Sequence, residues 1–355
     1  MSRLRQRIRF LRARDGAQLA WGEAGEGPLL VKASNWMTHL EFEWESPVWR
    51  HWMNFLSSHF RYVRYDERGC GLSEREPPNV SIDHWVSDLE EVCDAVRTEE
   101  PFALLGISQG THACISYAVR HPERVSRMIL YGGYARGYLK RGDPQVQREY
   151  RAIVEAIRVG WGKDNPSFRQ LFTSRFIPEG TMEQVAWFNE LCRKTVAPEM
   201  AADLLQLRGE VDITELLPQV RVPTLVIHAA DDNVIPVAEG RLLASSIPGA
   251  EFVELQSKNH VLLEHEPAWT RFQEAVLAFA RPDATSSADV FTALSPRERE
   301  VLALLSEGLD NGQIGERLSI SEKTVRNHVS NVYDKLGVWT RAQAVVFARE
   351  HGFRR

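Results

Sequence analysis

Between Pro28 and Gly133 the chain reads PLLVKAS, PVWRHWMNFLSS, FRYVRYD, SIDHWVSDLEEVCDAV, FALLGIS, QGTHACISYAVRH and VSRMILYGG. Short apolar runs alternate strictly with amphipathic stretches. The short runs are rich in β-branched and aromatic residues and too brief for buried helices, so they read as strands with helices between them. Strands joined by helical crossovers run parallel, and a parallel sheet needs cover on both faces. The predicted class is therefore α/β, a doubly wound sheet. Ahead of it, IRFLRA and QLAWGE flank Asp15-Gly16. That dipeptide favours tight hairpins because both of its positions tolerate positive φ, so an antiparallel hairpin is expected there.

The alternation stops between about Tyr134 and Pro218, where the sequence turns helical and aromatic (Trp161, Phe168, Phe172, Phe176, Trp187, Phe188). An inserted helical block inside an α/β pattern predicts a cap over one end of the sheet. Most of its aromatics should form the cap's own core, and a minority should face a pocket. The pattern resumes with PTLVIHAA, AEGRLLASSIP, AEFVELQ and PAWTRFQEAVLAFA. RPDATSSADV, residues 281–290, lacks periodicity and reads as a linker. The expected organisation is a first domain over 1–280, with its cap at about 134–218, and a small all-α domain over 291–355.

Four cysteines, Cys70, Cys93, Cys114 and Cys192, show no C-x-x-C pairing, which argues against a disulfide framework or a structural zinc and fits a reducing cytoplasm. No metal or cofactor is expected. The Arg-rich start never gathers the apolar core of a signal peptide, and nothing approaches a membrane span. From Val290 onward there are ten Lys/Arg against eight Asp/Glu, so a +2 tail follows a −7 body in a chain of net charge −5. This mild asymmetry permits nucleic-acid contact but is far from the basic stripe of a strong non-specific binder.

GISQG, residues 106–110, falls where a strand ends and a helix begins. A serine on so sharp a turn sits in a strained backbone conformation, and Gly106 and Gly110 leave room for neighbouring segments. A nucleophilic serine also needs a base, and a carboxylate to orient that base. Asp232, with Asp231 as competitor, follows the strand PTLVIHAA; His260, with His265 as competitor, follows AEFVEL. Both loops lie at the carboxyl ends of late strands, where sites of open α/β sheets assemble.

GISQG, the loop RYDERGCGLSE with Asp66, Arg68, Gly69, Gly71 and Ser73, and HAADDNVIP together resemble the α/β-hydrolase superfamily over roughly the first 280 residues. The resemblance implies a triad of Ser108, Asp232 and His260 under a helical lid. It also implies an oxyanion hole from the backbone N–H groups of Gln109 and Trp36, with Asn35 as a further side-chain donor. The chain departs from the family at KASNWMTH, where H-G is usual and no glycine occurs between Gly27 and Gly69.

In the last domain, LSPREREVLALLSEG carries a capping box: Ser295 as N-cap, Pro296 at the first position, Glu298 reaching back, and Gly308 beyond the end. NGQIGERLS predicts a short helix. SEKTVRNHVSNVYDKLG predicts another, from Ser321 to Gly337, with Val325, Val329, Val332 and Leu336 on an inner stripe and Lys323, Arg326, Asn327 and Ser330 on the opposite face. Such side chains can reach phosphates and base edges in a major groove. From Leu294 to about Ala348 the chain resembles the LuxR/FixJ-type helix-turn-helix. That resemblance implies base-edge contact from Arg326, Asn327 and Ser330, and phosphate contact from Lys323, Thr324, His328, Lys335 and Arg341. It also implies a dimer seam through Ala342, Val345 and Val346. Gly312 stands where a basic residue is common, and Gly315 where alanine is usual.

The two resemblances together imply a cytoplasmic transcriptional regulator that binds double-stranded DNA as a homodimer. Its hydrolase-like domain is expected to sense, and to be able to hydrolyse, a small apolar ester- or lactone-type ligand. The competing expectation is an active serine esterase or lactonase with an accessory DNA-binding tail.

Overall fold

The computed structural model describes residues 5–280, 291, 294–336, 338, 340–350 and 353. The proposed linker at 281–290 and the helix end at Gly337 lie outside these residues, as does the side chain of Ala342. The chain divides into two compact units, Met1–Val276 and Leu277–Arg355.

The first unit is built on one sheet of eight strands: β1 (Arg7–Arg12), β2 (Gln18–Ala24), β3 (Leu29–Lys32), β4 (Arg61–Tyr65), β5 (Phe102–Ile107), β6 (Val125–Tyr131), β7 (Thr224–Ala229) and β8 (Glu251–Leu255). Their order is β1-β2-β4-β3-β5-β6-β7-β8. β1, β2 and β4 pair antiparallel, and every later pairing is parallel. All residues of β5 and β7 are buried, as expected of central strands covered on both faces. The covering helices are α1 (Arg50–His59), α2 (Ile82–Val96), α3 (Gly110–Arg120), α8 (Val237–Ser246) and α9 (Pro267–Ala280). Trp52 of α1 packs on Tyr131, Trp269 and Phe272, at 4.6 to 5.4 Å between ring centroids.

The hairpin forms, but not with the expected two-residue turn. Arg12 pairs with Gln18, and only Gly16 has positive φ, at 93°. Buried Ala13 and Ala17 extend the turn inward. Asp15 instead uses its carboxylate, which accepts from Ala17 N at 3.1 Å and receives Arg68 at 2.7 Å. Arg68 is buried, and its fork also grips Asp88 at 2.7 and 2.5 Å. The RGCG loop thus latches hairpin, loop and α2 together through one guanidinium.

Between β6 and β7 lie α4 (Pro144–Gly160), α5 (Ser167–Phe176), α6 (Met182–Thr195) and α7 (Pro198–Glu210). Trp161, Phe172, Phe176 and Phe188 form a continuous ring-to-ring cluster, whereas Phe168 is exposed.

The second unit contains α10 (Pro296–Ser306), α11 (Asn311–Leu318), α12 (Glu322–Leu336) and α13 (Arg341–Glu350). Capping boxes start α10 (Ser295/Glu298) and α11 (Asp310/Gln313), and the Ser321 hydroxyl accepts from Thr324 N at 3.2 Å to start α12. Val325, Val329, Val332 and Leu336 are all buried, packing on Val301, Leu302 and Ile314. Gly315 has a local reason: a Cβ there would stand 2.8 Å from the Ile320 carbonyl oxygen.

Candidate functional site

The turn between β5 and α3 forces Ser108 to φ 54°, a left-handed conformation that non-glycine residues adopt only when their surroundings over-determine it. The Ser108 N–H donates to Tyr131 O at 2.9 Å, and its carbonyl accepts from Thr111 N at 3.2 Å. The flanking glycines are required by close approach: a Cβ at Gly106 would lie 2.9 Å from the Thr111 backbone, and one at Gly110 would lie 3.0 Å from Ser34 O. Sequence reasoning thus gave the right purpose to both.

Asp232 follows β7 and His260 follows β8. His260 Nδ1 lies 2.6 Å from Asp232 Oδ2, and Oδ1 of Asp232 accepts from the N–H groups of Val234 (2.7 Å) and Ile235 (3.0 Å). Burial opposes the charge on Asp232, but the neighbouring imidazoles and the Ile235 N–H outweigh it and hold the carboxyl below its ordinary range. The competitors Asp231 and His265 are both exposed. His260 Nε2 is buried without a hydrogen-bond partner among the described residues. Ser108 and His260 line one pocket, whose other walls come from the loop after β3 and from the cap helices.

That pocket is walled by aromatic and aliphatic side chains, among them Trp36, Tyr134, Phe172, Phe176 and Leu205. Trp36 stacks on Trp161 at 6.0 Å and meets Phe172 edge-on at 4.7 Å. The loop without glycine solves its turn at Met37, which takes φ 64° while buried. Asn35 is also buried; its Oδ1 accepts from Lys32 Nζ, and its Nδ2 makes only a long contact of 3.5 Å to Trp36 O. Lys32 is itself buried, and that desolvation lowers its ammonium to about 8. This lysine anchor of the loop was missed in the sequence, because a short apolar run gives no sign that the cation at its end is buried as well.

Gln109 opens α3, is buried, and its Nε2 has no partner among the described residues. Arg208, on α7, was also missed. It lies at the pocket wall, 5.1 Å from the ring centroids of both Trp36 and Trp85, with its Nη2 on Glu67 at 2.5 and 2.6 Å. No group of three or more His, Cys, Asp or Glu among the described residues could hold a metal ion. No helix among them is long and apolar enough to cross a membrane.

On α12, Lys323, Arg326, Asn327 and Ser330 are exposed, and Thr324 and His328 are half-buried. Lys335 and Arg341 are engaged within the unit. Lys335 Nζ donates to Glu298 at 2.7 Å, and Arg341 donates to Leu309 O.

Comparison with known proteins bears on both units. Residues 42–267 match the model of the alpha/beta hydrolase fold, and residues 292–348 match that of the luxR family of bacterial regulatory proteins. Pyrrolizixenacetamide deacetylase of Xenorhabdus hominickii is 24% identical over 70% of this chain and 90% of its own. The DNA-binding transcriptional activator DevR/DosR of Mycobacterium tuberculosis is 35% identical over 39% of this chain and 64% of its own. The enol-lactonase structure from Burkholderia xenovorans is 25% identical and superposes with a TM-score of 0.61, covering 76% of this chain and 99% of that one.

Proposed function

We propose, on the premise that the chain belongs to the alpha/beta hydrolase family and ends in a DNA-binding domain of the luxR family, that it is a cytoplasmic transcriptional regulator whose hydrolase-fold domain senses a small ester- or lactone-type ligand. The observation that carries this reading is the pocket itself. A serine held at φ 54° and a histidine with a free Nε2 line one largely apolar cavity, in a chain that also presents a polar helix face suited to a major groove.

In this reading Ser108 Oγ attacks the ligand's carbonyl carbon and His260 Nε2 takes the hydroxyl proton. Asp232 holds the imidazole in the required tautomer and stabilises the imidazolium that forms. The tetrahedral oxyanion is received by the backbone N–H groups of Gln109 and Trp36. Asn35, its Oδ1 held by Lys32 Nζ, offers its Nδ2 as a further donor. Collapse expels the alcohol, which regains the proton from His260, and water then releases the acid by the same route. Occupancy of the pocket by ligand or acyl group is the signal, and a homodimer bound to promoter DNA is the receiver. Arg326, Asn327 and Ser330 read base edges, and Lys323, Thr324 and His328 hold phosphates.

The Asp232–His260 pair at 2.6 Å also favours a second reading, an esterase or lactonase with an accessory DNA-binding tail. Ser108→Ala separates the two. The regulator keeps ligand-dependent promoter binding after hydrolysis of a short activated ester is lost, whereas the esterase shows no ligand effect on DNA affinity in either form. A wild-type chain that neither cleaves the ester nor changes its DNA affinity with any ester or lactone tried defeats both.

A further inference from the structure

Apart from His260 Nε2, which the proposed chemistry uses as the base, the polar groups left unsatisfied around the pocket are of one kind. Nε and Nη1 of Arg208, Nε2 of Gln109, and the indole N–H groups of Trp36 and Trp49 are buried without partners among the described residues. All are donors. Buried donors without acceptors are costly, and they persist where a bound group satisfies them.

The charges agree. Arg208 and Arg175 line the cavity, and no Asp or Glu is among its lining residues. Arg175 is committed to Asn233 O at 3.1 Å and lies over Tyr150 at 4.9 Å. Arg208 is 5% exposed and differently placed. Two indoles cover the guanidinium at 5.1 Å, and Glu67 takes Nη2 alone, so three N–H bonds on Nη1 and Nε remain unused. Glu67 sits outside the cavity lining, so it orients the guanidinium without filling the place of a ligand.

We infer that the ligand of this pocket carries a carboxylate, received by Arg208 of the cap helix α7 while the ester or lactone carbonyl lies at Ser108. A carboxylate only accepts hydrogen bonds, matching the unused donors of Arg208, Gln109, Trp36 and Trp49, and a charge-assisted bond to a desolvated guanidinium is among the strongest it can make. The inference rests on the proposed binding pocket and narrows its ligand class from apolar esters to acid-bearing ones.

The test uses the full chain with Ser108→Ala, so that binding is read without turnover. Two probes differ by one methyl group: the mono-para-nitrophenyl ester of glutaric acid, and the same compound methylated at its free carboxylate. Titration is followed by quenching of tryptophan fluorescence. The free acid is expected to bind roughly tenfold to a hundredfold more tightly, the range for a hydrogen-bonded charge in a buried site. In the combined variant Arg208→Gln with Glu67→Gln, which leaves no lone buried charge, that ratio is expected to fall to about twofold. Circular dichroism checks that the variant is folded, and should it not fold, the wild-type ratio decides alone. Equal binding of the two probes, binding of neither, or a preference that survives in a folded variant overturns the inference. Failure of the hydrolytic reading shows separately, as absence of nitrophenol release by chains with Ser108 intact.

Discussion

His260 Nδ1 and Asp232 Oδ2 are 2.6 Å apart, and two backbone N–H groups hold the other carboxylate oxygen. The carboxylate is therefore held in place from both sides, and it in turn holds the imidazole. Asp232→Asn keeps the shape but presents an amide that can stabilise the wrong tautomer. Hydrolysis of para-nitrophenyl acetate is expected to fall by about 1,000- to 10,000-fold with the fold intact. Asp231→Asn, at an exposed position, is expected to change it little. Initial rates for the two variants decide the matter, and similar rates would remove Asp232 from the role.

Asp66 carries a pH dependence of the opposite sense to most carboxylates. Burial drives its pKa up to about 7, although its Oδ2 accepts from Leu72 N at 2.8 Å and Leu40 N at 3.1 Å. The folded chain thus holds this proton more tightly than the unfolded one. The stabilisation is complete below about pH 4 and is lost as pH rises through about 7. Between pH 5 and 8 the loss is on the order of 2 kcal/mol. Asp66→Asn removes the ionisation, so its urea-unfolding midpoint should decline less over that interval than the wild type's. Parallel declines would show that Asp66 is not the group responsible.

Gly315 tests packing against propensity. Alanine is the better helix former by about 1 kcal/mol, yet a Cβ there would meet the Ile320 carbonyl oxygen at 2.8 Å. Backbone cannot move aside cheaply, so Gly315→Ala is expected to be net destabilising by about 1 to 2 kcal/mol. Hydrogen exchange of the α11 and α12 amides in the full chain gives a local reading. Slower exchange in the variant would show that propensity wins.

What the sequence disclosed follows from which interactions are local. The β5–Ser108–α3 turn, the α10 capping box and the inner stripe of α12 each depend on residues a few positions apart, and each is where the pattern placed it. Strand ends and chain order narrowed the partners to Asp231 or Asp232 and His260 or His265; the resemblance singled out Asp232 and His260, which lie in contact. Arg208 was invisible because its partners Glu67, Trp36 and Trp85 lie far away in sequence. Likewise, the conversion of Lys32 into an anchor for Asn35 depends on what packs over β3, which no periodicity records. The fold was therefore more legible than the pocket's chemistry.

Lys323 and Lys335 lie on the same helix and are expected to behave differently toward DNA. Lys323 is exposed, so Lys323→Ala should weaken promoter and non-specific DNA alike and reduce the slope of log affinity against log salt by about 1. Lys335 instead closes the capping box of α10. With the Ser295 N–H, it holds the Glu298 carboxyl down to about 2. That stabilisation is present above the usual carboxylate range and is lost only as pH falls toward 2. Lys335→Ala should therefore leave the salt slope unchanged and destabilise the unit by about 1 kcal/mol, since the ion pair is partly exposed. Arg326→Ala should cost about 1 to 3 kcal/mol at one base pair only. Salt titrations of the three variants on one promoter fragment and on scrambled DNA distinguish them. A reduced slope for Lys335→Ala would place that ammonium on a phosphate instead.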